Sequence, residues 1–143
     1  MSTSSTTKTN PHLLVFSDGG SRGNPGPAGC GAVICDKKGK VLKKLKKYIG
    51  IATNNVAEYE GLLLGLKEAA KMKGEQITCY ADSLLVMEHM SGRWKVKHEG
   101  LKPLHKKATT LTKKFSKISF HHIPRERNTL ADELANQAMD AKR

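Results

Sequence analysis

Residues 12–36 read HLLVFSDGGSRGNPGPAGCGAVICD: a short apolar run, a loop dense in glycine and proline, and a second apolar run. HLLVFS and CGAVIC have the length and the Val, Ile and Phe content of strands, and DGGSRGNPGPAG is expected to stop the first of them. The turn DKKG leads into KVLKKLKKYIG, so the chain opens as an antiparallel meander of three strands. From Val56 the period changes. Val56, Tyr59, Leu63, Leu66 and Ala70 form the apolar stripe of a helix, with Thr53 as its N-cap and Gly74 beyond its end. QITCYA then reads as a strand, DSLLVMEHM as a short helix, and Leu101, Leu104, Ala108, Leu111 and Phe115 as a further helical stripe. ISFHHI is a fifth strand, and Asn128 is expected to cap a last helix through TLADELANQAMD. The order β-β-β-α-β-α-α-β-α predicts an α/β fold: a five-stranded mixed sheet, three antiparallel strands first, flanked by helices.

At 143 residues the chain has the length of one ordinary domain, expected over 12–143 behind a polar tail. The tail, residues 1–11, is rich in Ser and Thr, has no apolar periodicity and reads as disordered. With 25 Lys plus Arg against 13 Asp plus Glu, the net charge of +12 points to a polyanionic partner, nucleic acid before an anionic membrane. No stretch approaches the roughly 20 apolar residues of a membrane span, and the start lacks the apolar core of a secretion signal. The expectation is a cytoplasmic monomer with no membrane partner. Cys30 and Cys35, five apart on one strand, fall on opposite faces, so the three cysteines are expected to be buried thiols in a reducing compartment.

Three of the five aspartates stand where elements meet: Asp18 after LLVFS, Asp82 after ITCYA and Asp132 at the start of the last helix. Such junctions are where α/β proteins build sites. Glu58 borders the apolar stripe of the first long helix. Each acid alone fits turn, cap or surface chemistry, but together they accompany an unusual loop, GSRGNPGP. Converging carboxylates repel by about 1 kcal/mol per pair at 4 Å in water and by about 4 at an effective dielectric of 20. A hard divalent ion removes that cost, and nothing in the chain has zinc spacing.

SDGGSRGNPGPAGCGAVI, TNNVAEYEGLLLGL, YADSLLV and IPRERNTLADELANQA resemble, in order and spacing, the four signature segments of type 1 ribonuclease H. The resemblance covers nearly the whole chain after the tail. It implies the ribonuclease H fold and a metal-dependent endoribonuclease that cuts the RNA strand of RNA/DNA hybrids, leaving 5′-phosphate and 3′-hydroxyl ends. It further implies two Mg2+ ions, with Mn2+ as substitute, held by Asp18, Glu58, Asp82 and Asp132. Asp18 and Asp132 are implied ligands of the ion on the attacking-water side, and Asp18, Glu58 and Asp82 of the ion on the leaving-oxygen side. Asn24, Thr53 and Asn54 match positions that contact the nucleic-acid backbone.

The chain also departs from the family pattern. PRERN stands where relatives often carry a His in a mobile loop; Arg125 is the candidate for that role, with His122 or no residue as the alternatives. Leu84 replaces a Gln that contacts a base in some relatives. A basic helical protrusion and a separate hybrid-binding domain are both expected to be lacking. The lysines of KKLKKY, of RWKVKH and of the helix after Pro103 are expected to supply the grip through phosphates, with Trp94 either stacking on the nucleic acid or packing. Two rival functions stay open: cleavage of double-stranded RNA by the same fold, and a non-catalytic hybrid-binding module.

Overall fold

The computed structural model describes residues 11–142. Strands β1 (His12–Ser21), β2 (Gly26–Asp36) and β3 (Val41–Ala52) form the meander, followed by α1 (Asn54–Lys71), β4 (Gln76–Ala81), α2 (Leu84–Met90), α3 (Lys102–Thr112), β5 (Lys117–His122) and α4 (Thr129–Ala141). The sheet order is β3-β2-β1-β4-β5. β1 pairs antiparallel with β2 and parallel with β4, so the sheet is mixed, as expected, and the first strand lies at its centre.

The two sheet faces follow from alternation along the strands. Leu13, Val15 and Ile34 point to one side, where Tyr59, Leu62 and Leu66 of α1 and Val86 and Met87 of α2 meet them with essentially no exposure. Val33 and Cys35 point to the other side, against Ala131 and Leu134 of α4. Fully burying a Leu or Ile side chain is worth about 1.5–3 kcal/mol, so the larger cluster under α1 dominates the stability of the sheet. Cys30, Cys35 and Cys79 are buried and free.

Several local expectations are corrected. Asp18-Gly19-Gly20 does not stop the first strand: β1 runs through to Ser21, with Asp18 opposite Gly31. Gly19 serves close approach instead of a turn. A Cβ on Gly19 would overlap the Ala57 carbonyl, and one on Gly61 would overlap the Asp18 carbonyl, so α1 lies backbone to backbone on β1. Thr53 caps α1 as expected, accepting from the Val56 N–H at 3.2 Å, and Gly74 lies beyond the helix end as expected, with Lys73 before it in the left-handed region (φ 59°). Phe115 lies beyond the end of α3 and is nonetheless buried. Asn128 precedes α4, yet its side chain makes no cap hydrogen bond. The expected tail lies outside the described residues except for Pro11, whose carbonyl accepts from the Glu75 and Gln76 N–H groups just before β1 begins.

Among the described residues no helix is long and apolar enough to cross a membrane.

Candidate active site

Four elements deliver the acids to one cleft of about 300 Å³. Asp18 projects from the middle of β1 and is only 5% exposed. Glu58 arrives on the second turn of α1, carried there by the glycine contacts that seat the helix on β1. Asp82 follows the last residue of β4; Ser83, not Asp82, caps α2 by accepting from the Val86 N–H, so the aspartate is free for the cleft. Asp132 comes from the first turn of α4. Carboxylate oxygens of Asp18, Glu58 and Asp82 lie within 4.8 Å of one another, and Asp132 lines the same cleft.

Burial and crowding act on these groups in the same direction. Burial first, then the charge of Asp82 and the proximity of Asp132, push the Asp18 carboxyl up to about 8. Burial, then Asp18 and Asp82, hold Glu58 well above the usual carboxylate range. One Glu58 oxygen, Oε1, is buried without a partner among the described residues. A set of hard oxygen donors with an unused buried acceptor suits a divalent cation of the Mg2+ or Mn2+ kind, which offsets the repulsion that protons otherwise relieve.

A stability consequence follows from linkage. Asp18 ordinarily titrates near 3.8 and here near 8, so its contribution is fully present below the lower value and is lost as pH rises through the upper one. In chelator, the melting temperature of Asp18→Asn should therefore exceed that of the unsubstituted chain by a margin that widens from acid to alkaline pH. A margin constant with pH would contradict the raised carboxyl.

The remaining predicted residues are distributed around the cleft. Asn24 and Asn54 interlock: the Asn54 N–H donates to Asn24 Oδ1 at 3.0 Å, and Asn54 Oδ1 accepts from the Ser21 N–H at 2.9 Å. With both amide oxygens engaged, their exposed NH2 groups are the free ends, which are donors suited to phosphate oxygens. Thr53 spends its hydroxyl on the cap. Arg125, in a single 3-10 turn, lines the cleft with Nη2 3.7 Å from Asp132 Oδ1, an exposed ion pair worth at most about 1 kcal/mol. His122 ends β5 and lies near Glu88 instead.

The lysines of KKLKKY do not form one surface. Strand alternation sends Lys43 toward Glu68 of α1 and Lys46 toward Gln137 of α4, splitting the cluster across both sheet faces. Arg93, Trp94, Lys95, Lys97 and His98 of RWKVKH, by contrast, line a groove of about 610 Å³ that begins at Asn55, beside the N-terminus of α1. Trp94 stands in it 46% exposed.

Sequence reading passed over three contacts. Arg22 pairs with Asp140 at 2.6 Å and reaches Asn136, tying the glycine loop to α4. Gly61 looks like an ordinary helix residue until its contact with Asp18 is known. Asn128 donates to Ser17 O at 2.8 Å and to Asp82 Oδ1 at 2.9 Å; its only sequence signal, four places before Asp132, is equally that of a cap.

A central antiparallel-then-parallel sheet with carboxylates converging from β1, α1, β4 and α4 defines a class of protein. The family described as "Reverse transcriptase-like" matches residues 16–138. The bifunctional protein Rv2228c of Mycobacterium tuberculosis is 52% identical over 130 residues, which are 90% of this chain and 36% of that protein. The solved N-terminal RNase H domain of that protein, fused to maltose binding protein, superposes with a TM-score of 0.90 at 51% identity, covering 92% of this chain and 96% of the other. The ribonuclease HI of Halobacterium salinarum is 39% identical, over 88% of this chain and 63% of its own length. LC11-RNase H1, solved in complex with an RNA/DNA hybrid, gives a TM-score of 0.86 at 42% identity, covering 91% of this chain and 98% of the other. The chain belongs to the type 1 ribonuclease H family. It spans about a third of the length of the mycobacterial relative.

Proposed function

We propose that this chain is an endoribonuclease that hydrolyses the RNA strand of RNA/DNA hybrids with divalent metal, leaving 5′-phosphate and 3′-hydroxyl ends. The observation that carries the reading is the crowded oxygen cluster of Asp18, Glu58 and Asp82, with a buried Glu58 acceptor left unpaired. Such an arrangement costs stability unless a cation compensates. The family relation and the hybrid bound by LC11-RNase H1 support the substrate.

Asp18, Glu58 and Asp82 would hold one ion, and Asp18 with Asp132 a second. When bound, Mg2+ or Mn2+ supplies counter-charge to the carboxylates and Lewis acidity to the phosphodiester. The chain's own groups place the substrate around that point. The Asn24 and Asn54 amides and the N-terminal end of α1 present donors and partial positive charge to backbone phosphates. Arg125, beside Asp132, is positioned to attract the 5′-phosphate that forms as water oxygen bonds to phosphorus and the P–O3′ bond breaks. The 2′-hydroxyl is the group that marks the strand to be cut. Buried free thiols accord with a cytoplasmic setting, and the four acids of a single chain accord with action as a monomer.

Product analysis on an end-labelled hybrid tests the chemistry. Fragments with 5′-phosphate and 3′-hydroxyl ends are expected, whereas 2′,3′-cyclic ends would exclude hydrolysis by water.

Grip and chemistry reside in different residues, so hybrid binding in chelator should be strongly salt-dependent. If the Trp94 groove and the loop neutralise about four phosphates, affinity falls on the order of 10²-fold between about 50 and 200 mM salt. Replacing Lys95 and Lys97 with Ala should flatten the log–log slope by about 2. A slope that the double substitution leaves unchanged would take the groove out of the interface.

A further inference from the structure

Asn128 is 2% exposed and stands immediately before α4, where a polar side chain ordinarily turns back to cap the helix. Its side chain turns the other way, with Nδ2 donating to Ser17 O and to Asp82 Oδ1. A carbonyl and a carboxylate can only accept, which fixes the amide orientation and leaves Oδ1 buried without a partner among the described residues. Forgoing the cap costs stability, and an orphaned buried acceptor costs more. A serine or threonine that simply capped α4 avoids both costs, so the needs of the helix do not account for this residue.

The needs of the acids do. Ser17, whose carbonyl takes one of the two hydrogen bonds, is the residue before Asp18. Asp82 takes the other bond. The Asn128 carbonyl accepts from the Asp132 N–H at 3.1 Å. One buried residue therefore touches the mounts of three acids: its side-chain amide holds those of β1 and the end of β4, and its backbone carbonyl takes the first helical hydrogen bond of the turn that carries Asp132. Asp82 has no other side-chain partner among the hydrogen bonds of the described residues, so this donor is what restrains its carboxylate. An amide does this without bringing charge. An arginine or lysine in its place would neutralise the cluster and compete with a cation.

We propose that Asn128 is a positioning residue that sets the Asp82 carboxylate against Asp18 and Asp132 and so prepares the cluster for a divalent ion. The inference rests on the metal-dependent reading given above. Outer partners of metal-holding carboxylates typically contribute 10- to 100-fold to metal affinity.

The test is calorimetric titration of Mn2+ into the whole chain without nucleic acid, for the unsubstituted chain, Asn128→Ala, Asn128→Ser and Asp18→Asn. Melting temperature and hybrid affinity are measured alongside in chelator. Both Asn128 variants should bind Mn2+ on the order of 10-fold more weakly, with hybrid affinity in chelator within roughly twofold and kcat largely recovered at saturating Mn2+. Serine keeps a helix cap available, so Asn128→Ser decides the matter if Asn128→Ala does not fold. Unchanged Mn2+ affinity with a lowered melting temperature would reduce Asn128 to a structural residue and overturn the proposal alone. Absence of Mn2+ binding in the unsubstituted chain would overturn the metal-dependent reading, and this proposal with it.

Discussion

Asp18→Asn should abolish cleavage, with a loss on the order of 10⁴-fold, or about 5–6 kcal/mol at 1.36 kcal/mol per tenfold. The substitution should leave the fold and much of the hybrid binding in place. Asp18 is the most buried of the four acids and the one whose carboxyl is pushed up by both Asp82 and Asp132, so it is central to the cluster. An amide there keeps the shape of the side chain but removes a charge that a divalent ion requires. Binding should persist because the loop amides, the α1 N-terminus and the Trp94 groove are untouched. Circular dichroism, chelator binding and single-turnover cleavage measured on the same preparation separate the two roles. Loss of the fold would instead make Asp18 a structural aspartate.

Gly61→Ala should lower stability by about 3 kcal/mol, equivalent to roughly 10 °C in melting temperature, although alanine is ordinarily the better helix former by about 1 kcal/mol. The reason is local: the added methyl would occupy the Asp18 carbonyl. Relief requires α1 to lift from β1, and Glu58 rides one turn earlier on that helix, so any folded fraction should also lose metal affinity and activity. Gly19→Ala meets the Ala57 carbonyl across the same seam and should behave alike. A Gly61→Ala chain that melts higher than the original would show that the seam does not hold the site together.

This seam marks the boundary of what the sequence discloses. Element order was legible because hydrophobic period is a local property; three of the acids stand where elements meet, and the resemblance to a known family implied that all four share one site. The continuation of β1 through Asp18-Gly19-Gly20 was not legible. Adjacent glycines signal a turn when read locally, and the use of Gly19 here depends on Ala57, far along the chain. Asn128 was hidden for a related reason: a polar residue before a helix reads as a cap, and only the placement of Ser17 and Asp82 shows where its amide goes. The lysine pairs of β3 looked like one patch because sequence neighbours are counted together, whereas a strand sends them to opposite faces. Asn24 and Asn54 were singled out through the family resemblance, but the hydrogen bonds that occupy their amide oxygens, from the Asn54 N–H and from Ser21, and leave the NH2 ends free required the loop geometry.

The most direct measurement is cleavage of a labelled RNA strand paired with DNA, set beside RNA/RNA and DNA/DNA duplexes, in Mg2+, in Mn2+ and in chelator. The expected result is cutting of the RNA strand of the hybrid in either metal and none in chelator, with the DNA duplex intact throughout. Tight binding of the hybrid without cleavage in either metal would contradict the account and leave a binding module on the same fold.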